Sequence, residues 1–218
     1  MTTTGIICLM LSYLIGSIPT AVCISKLVYK IDIRDYGSGN PGATNTFRIL
    51  GKRAGLTILL LDIFKGWIVV TLACYVSQAP PHTQDFVNLN ISFGVASVLG
   101  HVFPIYIGFK GGKGIATLFG VVLAIHPYAC LMLNGVFLIV FLLTHYVSLS
   151  SICAGISFPF ILIFIYGNNI VPSMVIFSCF VALLVLVTHQ KNIERLLRRQ
   201  ESKIFILKKN GNGPTQSS

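Results

Sequence analysis

GSGNPGATNTFR, residues 37–48, stands between two long apolar runs and carries three glycines, two asparagines, two threonines, a serine and a terminal arginine. With so little bulk it cannot fill a core, and its backbone amides and small donors suit a polar or anionic ligand. Its flanks decide the fold. A hydrocarbon layer about 30 Å thick takes about 20 helical residues to cross, and residues 5–27 and 55–77 on either side are apolar over that length. The stretch is a polar connection at a membrane surface.

The rest of the chain extends that reading. Of 218 residues, 54% are hydrophobic and 10% charged, with a mean hydropathy of +0.81, against roughly 25% charged in a soluble domain. The expected fold is all-α and integral to the membrane, with about seven transmembrane helices, some short or broken. After residues 5–27, which are kinked at 16–19, and 55–77, spans are expected at 86–109, in a short piece ending at residue 125, from Pro127 to about His145, at 147–166 and at 171–188. Pro127 separates the fourth piece from the fifth. Residues 1–209 read as a single transmembrane domain and 210–218 as a disordered polar tail. The first apolar run lacks a preceding positive segment and outlasts a signal peptide's apolar region, so it reads as a retained span.

The net charge of +10 rests on 16 Lys and Arg. No interleaving of basic and aromatic residues supports nucleic acid binding, which leaves anionic lipids or phosphorylated substrates. Six basic residues lie in 26–53, two in 110–113 and seven after His189, with none in 78–85 or 167–170. By the positive-inside rule an odd number of spans puts the N-terminus outside and the C-terminus in the cytoplasm. Six cysteines scatter through apolar segments with no CxxC pair, so neither a zinc site nor a disulfide framework is expected.

Three polar constellations fall on the basic side. In the first, residues 37–42 match GxGxxG, with Asp62 twenty positions further on. A dinucleotide fingerprint needs a strand before and a helix after, and these flanks are transmembrane, so that reading fails. An amide-rich cradle including Gly39 fits better, with Ser38, Asn40, Thr44 and Asn45 as donors and Arg48 as a bidentate phosphate partner. The plain alternative is a loop of turn residues. The second, GHVFPIYIGFKGGKGIAT at 100–117, sets Lys110 and Lys113 among Gly111, Gly112 and Gly114 just ahead of an apolar helix, an arrangement that favours anions. It is not a Walker A loop, since Gly114 and Ile107 occupy positions that would need Ser or Thr and Gly. A positive-inside anchor would have similar lysines.

The third, HQKNIERLLRRQESKI at 189–204, continues helically from the last span and places His189, Asn192 and Leu196 on one face with Arg195 beside them. His189 and Glu194 imitate an acyltransferase dyad, but five helical positions rotate the side chains about 140° apart. An amphipathic basic helix on anionic headgroups is the alternative. Within the membrane, Asp62 and Lys65 are spaced to pair, and Ser148 and Ser150 sit at a cytoplasmic helix start, as site members or caps.

Taken together, SGNPGATNTFR, GHVFPIYIGFKGGKGIAT and HQKNIERLL with Glu201 and Lys203 resemble the signature segments of the bacterial acyl-phosphate:glycerol-3-phosphate acyltransferases. LIGSIP, LDIFKG and YVSLSS look like that family too, so the resemblance spans nearly the whole chain. It implies a seven-span transmembrane acyltransferase domain of the bacterial inner membrane with a cytoplasm-facing site. That enzyme moves a fatty acyl group from acyl phosphate to the 1-hydroxyl of glycerol 3-phosphate, giving lysophosphatidic acid and phosphate in phospholipid synthesis. Neither cofactor nor metal is implied. The partners are the two substrates, membrane lipids and the enzyme that makes acyl phosphate. By motif position, Lys110, Ser148, His189 and Asn192 are expected at the reacting centre. Ser38, Arg48, the Lys113 glycine loop, Arg195 and Glu201 are expected to handle phosphate. Direct hydroxyl attack is expected, with His189 as base or a substrate phosphate oxygen in its place. Two departures stand out: Arg199 where the family has glycine, and His145 where it often has arginine. A transporter of a phosphorylated solute predicts an inverted repeat, which the sequence does not show, and a lipid-binding scaffold predicts no phosphate release.

Overall fold

The computed structural model describes residues 3–77, 79–81 and 83–205, and Asn168 by its backbone alone. The expected polar tail at 210–218, and residues 206–209 of the expected domain, lie outside the described residues. The chain is all-helical among the described residues. It begins with α1 (Thr3–Ser17) and α2 (Thr20–Tyr29), which meet at 43°. The break falls at Ile18 and Pro19, where proline removes a helical donor. The polar loop leads to α3 (Ala43–Leu50), then α4 (Lys52–Thr71) with the one-turn α5 (Ala73–Val76), and α6 (Gln84–Val102).

The short α7 (Ile115–Ile125) starts at Gly114, whose φ of 78° suits glycine. Pro127 opens α8 (Pro127–Thr144), and His126 caps it by accepting from the Ala129 amide. α9 (Val147–Ile161) contains Pro159 and widens into a π-helical turn at Leu162–Tyr166. α10 (Pro172–Thr188) bends by 61° into α11 (Gln190–Leu197). Four helical segments are long and apolar enough to cross a membrane, or up to six if each bent pair is one span, and α7 is a shorter apolar helix.

Val69, Val98, Val121, Phe158, Phe177 and Val185 form the centre of the core. α4 and α7 cross at contact distance because Gly66 faces the Thr117 carbonyl and Gly120 faces that of Ile63, each within 2.1 Å of where a Cβ would stand. Such small-residue crossings let backbones meet where apolar burial gives no drive to associate. In the same region Lys65 Nζ pairs with Asp62 Oδ1 at 2.9 Å, both buried, as their spacing predicts. Past α11 the chain reverses at Arg199, which adopts a left-handed φ of 57°. The bend that a glycine would make without strain is made here by arginine. The returning segment is held where Ile204 donates to the His145 carbonyl at 2.9 Å and the rings of His145 and Phe205 lie 4.8 Å apart.

Candidate active site

The bundle holds a partly open cavity of about 520 Å³ whose polar head gathers all three constellations: Ser38 and Arg48, Lys113, and His189 with Asn192 and Glu201. Ser148, in the first turn of α9, completes it, and Asn40, Thr44, Asn45 and Gly114 also line it. α3 ends at Gly51, and its Arg48 side chain reaches the segment that follows α11. There Nη2 donates to the Ser202 carbonyl at 3.0 Å. Among the described residues nothing accepts from the buried Arg48 Nε.

Glu201 organises the head. Its Oε1 accepts from Ser148 Oγ at 2.8 Å and Asn192 Nδ2 at 2.7 Å, and its Oε2 from Arg195 Nε at 2.7 Å. Burial opposes the carboxylate, but the bonds from Arg195, Asn192 and Ser148 outweigh it and hold the pKa below the usual range. The other side of the Asn192 amide accepts from Lys113 Nζ. Burial pushes the Lys113 ammonium down to about 8, with Glu201 opposing and Arg195 and Arg48 reinforcing that fall. Burial likewise lowers the Arg48 pKa. His189 is 2% exposed. Its Nδ1 lies 2.9 Å from the Val185 carbonyl, which can only accept, so the neutral ring carries its proton there and keeps Nε2 as an acceptor. Burial and the Lys113 charge push its pKa down to about 4, below the near-neutral range that the expected base would use.

Several expected ligand contacts are corrected. Both Asn45 amide donors are used within the protein, on the Ile33 and Tyr36 carbonyls, and its Oδ1 accepts from the Ser38 amide. Asn45 shapes the loop instead of donating to phosphate. The Gly111 and Gly112 amides donate to the Val102 and His101 carbonyls, so they are not an anion cradle. Gly111, Gly112, Gly39 and Lys110 lie off the lining, and Lys110 is exposed. Arg195 is off it too and reaches the head through Glu201. Glu194 pairs with Arg198 at 2.8 Å, away from His189. Asp62 and His101 line the cavity without having been singled out for it. An intramembrane acid and a histidine just ahead of the glycine loop were the available signals.

Below the head the cavity becomes apolar. Phe141, Phe137, Leu133 and Cys130 descend one face of α8 at helical spacing, opposite Phe158 of α9 and Val122 of α7. By the helical rise, Ser148 to Phe158 spans about 15 Å. A cationic head on an apolar shaft defines an integral membrane protein that handles a phosphorylated group and an acyl chain together.

The comparisons agree. The family profile for glycerol-3-phosphate acyltransferase matches residues 6–199. The glycerol-3-phosphate acyltransferase of Staphylococcus saprophyticus is 44% identical over 203 residues, covering 91% of this chain and 97% of its own. The crystal structure of PlsY, an integral membrane glycerol 3-phosphate acyltransferase, in its glycerol 3-phosphate form is 39% identical with a TM-score of 0.83, covering 94% of this chain and 97% of that one. The lysophosphatidic acid form of PlsY gives 38% and 0.79. The chain belongs to the glycerol-3-phosphate acyltransferase family. It is a membrane acyltransferase of phospholipid synthesis.

Proposed function

We infer that the chain transfers a fatty acyl group from acyl phosphate to the 1-hydroxyl of glycerol 3-phosphate, releasing lysophosphatidic acid and inorganic phosphate. The observation that carries this is the single cavity joining Arg48 and Lys113 to an apolar shaft between α7, α8 and α9. The PlsY forms with glycerol 3-phosphate and lysophosphatidic acid, which are substrate and product of this reaction, support it.

In this reading the donor's tail lies in the shaft and its carbonyl reaches the head. The glycerol hydroxyl attacks the carbonyl carbon, the bond from that carbon to the phosphate oxygen breaks, and phosphate leaves. No covalent acyl-enzyme is needed, because the donor is already activated. Lys113, Arg48 and Ser38 hold the phosphates and the developing oxyanion, Ser148 and Asn192 set the head through Glu201 and Lys113, and orientation supplies much of the rest. His189 Nε2 accepts from the attacking hydroxyl and orients it. With a pKa near 4, the imidazole is a poor final holder of the proton, which passes to a phosphate oxygen that ionises near about 6. His189→Ala, followed over pH, tests this: the rate falls through lost orientation, and full retention would remove the imidazole from the site.

The bundle is read as one domain over residues 1–209 with seven crossings, α7 as the short one. The basic residues of 26–53, 110–113 and the segment after His189 favour a cytoplasmic head and C-terminus and an outer N-terminus in a bacterial inner membrane. An enzyme making acyl phosphate is the functional partner. The deciding assay is phosphate release from acyl phosphate with glycerol 3-phosphate, run beside acyl-CoA as donor. Activity with acyl-CoA alone would refute the donor assignment.

A further inference from the structure

Beneath the head, a buried polar network joins four parts of the bundle. Asp62 Oδ1 on α4 accepts from Thr20 Oγ1 at 2.6 Å and Lys65 Nζ at 2.9 Å, and lies 3.7 Å from His101 Nδ1 on α6. Lys65 also donates to the Ile18 carbonyl at 3.1 Å, at the break between α1 and α2. On the other side, His101 Nδ1 meets Thr117 Oγ1 of α7 at 3.1 Å. Asp62, Lys65 and His101 are each at most 8% exposed. Ionisable side chains at such a depth are costly, and hydrophobic replacements are often as stable, so cohesion alone is a weak reason to keep them.

What the network touches is the glycine loop. The His101 carbonyl accepts from the Gly112 amide at 3.2 Å and its neighbour Val102 accepts from Gly111 at 3.1 Å. A Cβ on Gly112 would stand 2.3 Å from His101 Nε2, and one on Gly111 2.0 Å from the His101 carbonyl. The two glycines are there so that the loop can lie against His101 by both ring and backbone. The next residue is Lys113, whose ammonium enters the head.

We propose that Asp62, Lys65 and His101 are positioning residues: they fix the Gly111–Gly112 backbone, and through it the place of the Lys113 ammonium at the phosphate-binding end of the cavity. Thr117 Oγ1 holds His101 Nδ1 by a hydrogen bond, Asp62 Oδ1 faces the same nitrogen at 3.7 Å, and Lys65 anchors Asp62 to the broken α1–α2 segment. The proposal rests on the reading of the head as a phosphate site.

The test uses the full chain in lipid nanodiscs, with kcat and the KM of each substrate measured for His101→Gln, Thr117→Val and Thr117→Ser. Moving the ammonium by about 1 Å predicts a rise of about tenfold in the KM of at least one phosphorylated substrate for His101→Gln and Thr117→Val, with a fall in kcat besides, because Lys113 also faces the developing oxyanion. Thr117→Ser, which keeps the hydroxyl, retains the parental KM. If His101→Gln does not accumulate, the two Thr117 variants decide alone. Unchanged KM for both substrates, with or without a fall in thermal midpoint, overturns the proposal, as does an equal rise for Thr117→Ser. A parent chain that releases no phosphate from acyl phosphate would instead sink the activity reading itself.

Discussion

Replacing Glu201 with Gln removes the carboxylate's charge and its bond from Arg195 Nε while sparing the bonds from Ser148 and Asn192. Gln keeps an oxygen for Ser148 Oγ and Asn192 Nδ2, which now meet Glu201 Oε1 at 2.8 and 2.7 Å. It removes the negative charge that the Asn192 amide bridges to Lys113. Two opposite charges bridged by one amide, taken as roughly 6 Å apart at an effective dielectric of about 20, attract by roughly 3 kcal/mol, or about two pKa units. The Lys113 ammonium is present below its pKa of about 8 and lost as pH rises through it. Plotted against pH, kcat/KM for glycerol 3-phosphate therefore falls above about 8 in the parent, since this ratio reports the free enzyme. In Glu201→Gln, solvent screening trims the two units and the fall moves to between about pH 6 and 7. Lys113→Arg is the control: its guanidinium stays charged, so the fall is absent below about pH 10. Phosphate release at limiting glycerol 3-phosphate and saturating donor gives the profile. A Glu201→Gln profile that stays on the parent's, or shifts to higher pH, would refute the coupling.

Other outcomes follow from the same geometry. Because the Glu201 pKa is lowered in the folded protein, its stabilisation is full above the unfolded value and lost as pH falls through the folded one. Hydrogen exchange should then show residues 201–205 loosening in acid before the transmembrane core. Arg199→Gly relieves a left-handed φ of 57° that costs about 1 kcal/mol, of which glycine's unfolded freedom takes back about half. The thermal midpoint in detergent should hold or rise slightly, and a clear fall would show that the side chain matters more than the backbone. Arg48→Lys keeps the charge but loses the planar fork, of which Nη2 now holds the Ser202 carbonyl, so KM for glycerol 3-phosphate should rise about tenfold or more; unchanged affinity would take residues 37–48 out of the site. Cys130→Trp fills the deep end of the shaft, where Cys130 is 2% exposed, and should shift donor preference toward shorter acyl phosphates in a chain-length series.

Much of the architecture was readable because membranes leave few choices: apolar length, proline and basic residues mark helices and their ends one residue at a time. Pro127 and Pro172 begin α8 and α10 for that reason. The meeting of Arg48, Lys113, Ser148, His189 and Asn192 in one head was readable from their motifs, since each motif sits at a helix end on the basic side. What was not readable is where individual donors point. An amide in KGGKG looks free in sequence, yet the Gly111 and Gly112 amides are taken by α6 carbonyls. An asparagine among small residues looks like a ligand, yet Asn45 ties its own loop. Both depend on a neighbour distant in sequence, which local spacing does not encode.

The same distinction explains why the glycines are adjacent to lysine. If Gly111 and Gly112 served phosphate by their amides, a Cβ would have been tolerable wherever the ligand left room. The obstruction is the protein itself, at 2.0 Å from the His101 carbonyl and 2.3 Å from its ring. The loop's lack of side chains serves close approach to α6, and that approach aims Lys113. The anion-binding charge and the backbone that carries it are thus divided between neighbouring residues. In the proposed arrangement Lys113 supplies the contact, and the glycines, His101, Asp62 and Lys65 supply its coordinates. This is why Lys110, in the same motif with the same charge, stays exposed while Lys113 enters the head.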